Sequence, residues 1–136
     1  MWFKLSFKKK DIARMIDKNS VELYKAFIDD LVDLRPGVLP RRIMGSGWPK
    51  TIETEKINKV LGELTKEQKE IFALITEIAR DGGIHDVIMY LTDQMNLEGL
   101  ELIRDGVRMA FEPFGFEMYY DWVCRREGNA WPDVNN

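Results

Sequence analysis

At 136 residues the chain has the length of one ordinary domain, and 45% apolar against 32% charged residues is the balance of a folded globular protein, which excludes disorder and fibrous repeats. Twenty Lys and Arg against 23 Asp and Glu leave a net charge of -3, the wrong sign for a protein whose main partner is a phosphate backbone. The sole cysteine, Cys124, excludes an internal disulfide and any multi-cysteine metal site, and it suits a reducing cytoplasm. No apolar run exceeds the five residues of Ile71–Ile75, far short of a membrane span, and no export or insertion signal is apparent at the N-terminus.

Periodicity predicts a single mainly helical domain over residues 1–136, a bundle of five to six helices. Ile12, Met15 and Ile16 outline a short helix over about 7–18. Val21, Tyr24, Phe27, Ile28, Leu31 and Leu34 mark a clearer one, with Asn19 and Ser20 as cap candidates and Arg35-Pro36-Gly37 as its stop. A third runs from about Glu53 to Leu64 on Ile57, Val60, Leu61 and Leu64. Thr65-Lys66-Glu67-Gln68 then matches a capping box, opening a fourth helix that carries Ile71, Leu74, Ile75 and Ile78 and is expected to stop at Gly82-Gly83. A fifth is expected from Ile84 to about Met95, and a last one from about Pro113, burying Phe116, Tyr119, Tyr120 and Val123, before a tail over 129–136.

Between Leu97 and Phe111 a helical and an alternating pattern compete. Asp105-Gly106 is a strong two-residue hairpin turn, and pairing across it sets Arg104 against Val107, Leu102 against Met109 and Leu100 against Phe111. A short hairpin near residues 100–111 is therefore favoured, laid on the helices or joined by Phe3, Leu5 and Phe7 as a third strand. The stripes predict one shared core containing Phe27, Leu31, Leu61, Ile71, Ile75, Ile88 and Leu91, so that truncating Ile75 should cost about 2–5 kcal/mol.

Asp81 to Gly106 and the stretch EPFGFEMYYDWVCRREG, Glu112 to Gly128, resemble an uncharacterised bacterial family of small helical domains. The resemblance covers the C-terminal half and implies no assigned activity.

The most unusual stretch is RPGVLPRRIMGSGWPK, residues 35–50, a long basic loop with three prolines, three glycines and a local charge of +4. Loops of that length are often functional. Arg41, Arg42, Gly45, Gly47, Trp48 and Lys50, with His85 nearby, form a candidate anion-binding set, the glycine backbone and the start of the next helix supplying N–H groups. The plainer alternative is a connector pinned by Trp48 and Pro49, with its arginines paired to nearby carboxylates. A nucleotide-binding P-loop is excluded, because Pro49 and Met44 stand where that motif requires glycine.

With one histidine in the chain, neither a di-iron bundle nor a zincin motif can be assembled, so no metal and no cofactor is expected. Cys124 beside Val123 in mid-helix lacks the helix N-terminus that favours a thiolate, and no catalytic residue is assigned. The aromatic cluster from Phe111 to Trp131 is denser than one helix face can bury, which suggests a pocket or interface near the C-terminal helix. These absences lean away from an enzyme. The expectation is a non-enzymatic cytoplasmic interaction or regulatory domain, an adaptor or an immunity-type inhibitor, engaging a protein partner or its own copies, with no nucleic acid and no membrane. The alternative is a small-ligand-binding or hydrolytic domain with a small anion held in the 35–50 loop.

Overall fold

A computed structural model describes residues 17–133, of which 62% are helical. In chain order the elements are α1 (Lys18–Asp33), α2 (Val38–Met44), α3 (Glu55–Glu63), α4 (Lys66–Leu97), strands β1 (Ile103–Arg104) and β2 (Val107–Arg108), and α5 (Met118–Arg126). They fall into two compact units, one of residues 17–32 with 91–133, the other of residues 33–90. The expected helix over 7–18 and the third strand at Phe3, Leu5 and Phe7 lie outside the described residues, apart from the helix's last two positions.

The first unit is organised on α1 and α5. Asp17, rather than Asn19 or Ser20, caps α1, its carboxylate accepting from the Asn19 N–H at 3.0 Å. Val21, Tyr24 and Ile28, at helical spacing, are buried, as are Met118 and Trp122 of α5 and Met109 after the hairpin. The hairpin has the anticipated register, Arg104 opposite Val107, and the Met109 N–H donates to the Leu102 carbonyl at 2.8 Å. Its turn residues, Asp105 (φ 52°) and Gly106 (φ 77°), take the left-handed conformations such a turn needs. The Ala110 N–H donates to the Ser20 carbonyl, which ties the hairpin to α1.

The last helix begins five residues later than Pro113. Glu112 (φ 45°) and Gly115 (φ 78°) both adopt positive φ, which a right-handed helix cannot accommodate, so the chain turns there before Met118. The delay changes which face is buried. Met118, Asp121 and Trp122 point inward, while Phe116 and Tyr120, expected inside, are half exposed and pack on each other at 4.8 Å between ring centroids.

In the second unit, residues 38–44 of the expected loop form a helix. Pro40 occupies the first turn of α2, where a missing N–H costs nothing, and Arg41 and Arg42 sit in the last turn, at the negative end of the peptide dipoles. The capping box forms as read: the Thr65 N–H donates to Gln68 Oε1 at 2.9 Å, and the Gln68 N–H to Thr65 Oγ1 at 3.2 Å. From there α4 continues for 32 residues through Gly82 and Gly83, so the two helices expected over this stretch are one. Neither glycine takes positive φ, and each lowers helix stability by only about 1 kcal/mol.

The inward side of α4 is pinned partly by ionic contacts. Arg35 Nε lies 3.1 Å from both Glu77 Oε1 and Asp81 Oδ1, the Gly37 N–H donates to Glu77 Oε2 at 3.0 Å, and Arg80 Nη1 donates to the Leu34 carbonyl at 2.6 Å. These bonds hold Glu77, Arg80 and Asp81 against the turn after α1, and the aliphatic stripe is rolled outward. Ile71 is 58% exposed and Ile75 53%, so neither belongs to the expected core; of that set Ile88 is fully buried, and Phe27, Leu31, Leu61 and Leu91 are partly so.

Candidate functional site: an uncovered apolar surface on α3 and α4

Positions 71, 74, 75 and 78 fall on one face of α4 because a helix returns to the same azimuth every three to four residues. All four are aliphatic, and Leu74 and Ile78 are each 60% exposed. Val60 and Ile57 of α3 and Phe72 of α4 are also exposed. They rim a groove of about 420 Å³ whose floor includes Ile43, Trp48 and Leu61. Its lining is almost wholly hydrocarbon, with Lys56 at the edge.

The groove wall is set by an unusual local device. The side chain of Asn58 on α3 accepts from the Trp48 N–H at 2.8 Å and donates to the Trp48 carbonyl at 3.0 Å, satisfying both backbone groups of one residue as a neighbouring strand would. Gly47 makes this approach possible: it has φ 82°, and a Cβ there would collide with Asn58 Oδ1. Arg42 lies over the Trp48 ring, 5.8 Å from its centroid.

The residues of the expected anion set are therefore placed as follows. Arg42 and Trp48 stack on each other, and Arg41 is exposed at the end of α2. The Gly45 and Gly47 N–H groups donate to the Arg41 and Arg42 carbonyls at 3.0 Å each, as a helix C-terminus requires. Lys50 lines a second groove of about 540 Å³ with Thr51, Ile52, Glu55 and Asn58. His85 lines neither groove; its Nδ1 lies 3.2 Å from Asp86 Oδ1. Arg35, left out of that set, is the cation of the Glu77–Asp81 pair.

The first unit holds a polar pair of a different kind. Tyr24 Oη donates to Asp121 Oδ2 at 2.6 Å with both side chains buried, joining α1 to α5. Burial, with the Asp121 charge beside it, pushes the Tyr24 phenol well above its ordinary range. Burial also raises the Asp121 carboxyl, which the Tyr24 hydrogen bond partly offsets. Glu112 is raised by desolvation and then by the charges of Glu117 and Asp121. A phenol held so firmly protonated is no nucleophile, and the pair acts as a buried clamp. Around it Phe114 and Trp131 stack at 5.3 Å and both contact the Tyr24 ring, while Arg125 bonds Asp29 at 2.7 Å and covers Trp131. Much of the dense aromatic cluster is thereby packed within its own unit.

Among the described residues no group of three or more His, Cys, Asp or Glu is placed to hold a metal, and no helix is long and apolar enough to cross a membrane. Sequence reading missed Asn58 and the outward roll of the α4 stripe. A signal for the second was present in the acidic Glu77 and Asp81, one turn apart on the flank of the stripe and opposite in charge to Arg35. Comparison with curated proteins and with solved structures gives no match. A family model does match, and over residues 17–133, well beyond the C-terminal half in which the resemblance lay: the chain belongs to a family of unknown function, DUF6547.

Proposed function

We propose that this chain is a non-enzymatic protein-interaction domain, adaptor-like or regulatory, whose docking surface is the α4 stripe with the adjoining groove. One observation carries the reading: Ile71, Leu74, Ile75 and Ile78 lie side by side on a well-formed helix and are each more than half exposed. Single exposed aliphatics are ordinary on a protein surface, but a contiguous patch of several hundred Å² is characteristic of an interface. Its rim is polar, with Lys56, Glu67 and Glu70 at the edges, the usual anatomy of a docking site. The net charge of -3 supports a protein partner over a nucleic acid, and the lone thiol Cys124 is compatible with the cytoplasm.

The test is a photo-crosslinking benzophenone amino acid placed at position 75 of the full chain, in cells that carry the native gene. Adducts between separate polypeptides are the expected result. Crosslinks confined to the chain's own residues would mean that the stripe is covered from within, and the interaction reading would fail.

A further inference from the structure

We infer that the occupant of this surface is a second copy of the same chain, with the two α4 helices laid antiparallel about a twofold axis between Leu74 and Ile75. The inference rests on the interaction reading and adds the identity of the partner.

Three observations carry it. The first is spacing. A twofold interface requires that if residue i meets j, then j meets i, and positions 71, 74, 75 and 78 are symmetric about their midpoint. Antiparallel packing sets Ile71 on Ile78 and Leu74 on Ile75, twice each, with aliphatic groups matched throughout. The second is charge. In the same register Glu67 lies level with Gly82 of the other copy and Glu70 with Ala79, so each acid at the rim meets a small uncharged residue. A parallel pair would set Glu67 on Glu67 and Glu70 on Glu70, and would align the two helix dipoles unfavourably as well. The third is area. The stripe with Ile57, Val60 and Phe72, each roughly half exposed, offers at most on the order of 600 Å² per copy, so that two copies reach the ~1,200 Å² total at which specific interfaces begin.

Sedimentation equilibrium on the full chain reads the proposal directly. The wild type is expected to be a dimer at micromolar concentration. Ile75→Glu, at a half-exposed site where the fold tolerates it, is expected to weaken association about 100-fold or more, since two carboxylates would be buried against aliphatic side chains. Ile52→Glu, at a position 92% exposed and off the stripe, is expected to leave it unchanged, with circular dichroism confirming that both variants fold. Spin labels at Asp86→Cys in a Cys124→Ser background then report direction: an antiparallel pair puts the two positions about 35 Å apart along the helix axes, from a rise of about 1.5 Å per residue.

A wild type that stays monomeric at about 100 μM overturns the self-pairing. So does a dimer that survives Ile75→Glu or is equally lost with Ile52→Glu, and a label separation below about 20 Å overturns the antiparallel arrangement. Position-75 crosslinks to a different protein, with a purified chain that is monomeric, would sink the second copy and keep the interaction reading. Crosslinks only within the chain, to residues 1–16 or elsewhere, would sink both.

Discussion

The two units resolve the same problem, an amphipathic helix in search of a cover, in opposite ways. In the first, the apolar stripe of α1 faces inward: Tyr24 and Ile28 are fully buried against a unit that also encloses Met118 and Trp122, and the one polar pair inside, Tyr24 with Asp121, is mutually bonded. In the second, α4 turns inward a mixed face, where Ile88 is fully buried and Glu77 and Asp81 keep only 12% and 14% of their side chains exposed beside Arg35, and its stripe at 71–78 outward. A hydrophobic stripe therefore specifies an amphipathic helix, but not which of its faces the fold will enclose.

The contrast can be broken most severely at Trp122. It is the largest fully buried side chain among the described residues, and Trp122→Ala should cost about 3–5 kcal/mol in chemical denaturation. Its indole Nε1 has no hydrogen-bond partner among the described residues, so Trp122→Phe, which removes that group along with some volume, should cost much less than the alanine.

Next in size comes the clamp. Asp121→Ala would leave the Tyr24 hydroxyl buried and unpaired and should cost about 1–3 kcal/mol. Asp121→Asn keeps an acceptor and removes a charge that burial disfavours, so stability at pH 7 should match or exceed the wild type. The pH dependence separates the two states further. Because the folded carboxyl titrates above its unfolded value, the native state holds the proton longer, and the Asp121 contribution to stability falls as pH rises from the ordinary aspartate range through the raised value. Denaturation midpoints followed across that window should slope downward for the wild type, and Asp121→Asn should be flatter.

In the second unit the anchor is electrostatic and only partly enclosed. Arg35→Ala would leave Glu77 and Asp81 close together without that cation, and should cost about 1–2 kcal/mol after allowance for solvent screening. The effect should shrink when Glu77→Gln is added, and a double-mutant cycle measures the difference. The smallest effect sharpens the comparison most. Ile75→Ala, measured at dilution where copies are apart, should change folding stability by less than about 1 kcal/mol, since half the side chain is already in water. A loss of 2–5 kcal/mol, the range for a core aliphatic, would show the stripe to be enclosed within the monomer.

Features legible in the sequence were those decided by near neighbours. The capping box at Thr65 and Gln68, the register around Asp105-Gly106 and the helix carrying Val21, Tyr24 and Ile28 depend on residues a few positions apart, and each formed as read. The outcomes that escaped were decided at long range. Glu77 of α4 pairs with Arg35, 42 positions earlier, and the stripe at 71–78 lies outward in spite of its apolar pattern. The helix at 38–44 was obscured by Pro36, Pro40 and the basic residues, although a proline in the first turn and arginines in the last are what a short helix tolerates best. Of the candidate anion set, Arg42 with Trp48 and the two glycines already have partners in the fold, which sequence position alone does not disclose.

The bond between Asn58 and the backbone of Trp48 ties the identities of two distant positions together. Any side chain at residue 47 would meet Asn58 Oδ1 as well as an unfavourable φ, so that position admits little beyond glycine while the asparagine is present. Replacing the asparagine with a shorter residue would make room, but would strip the Trp48 amide and carbonyl of their partners. Neither site can drift freely alone. In a library randomised at both positions, functional variants should be found as linked pairs, with the effect of each substitution conditional on the other.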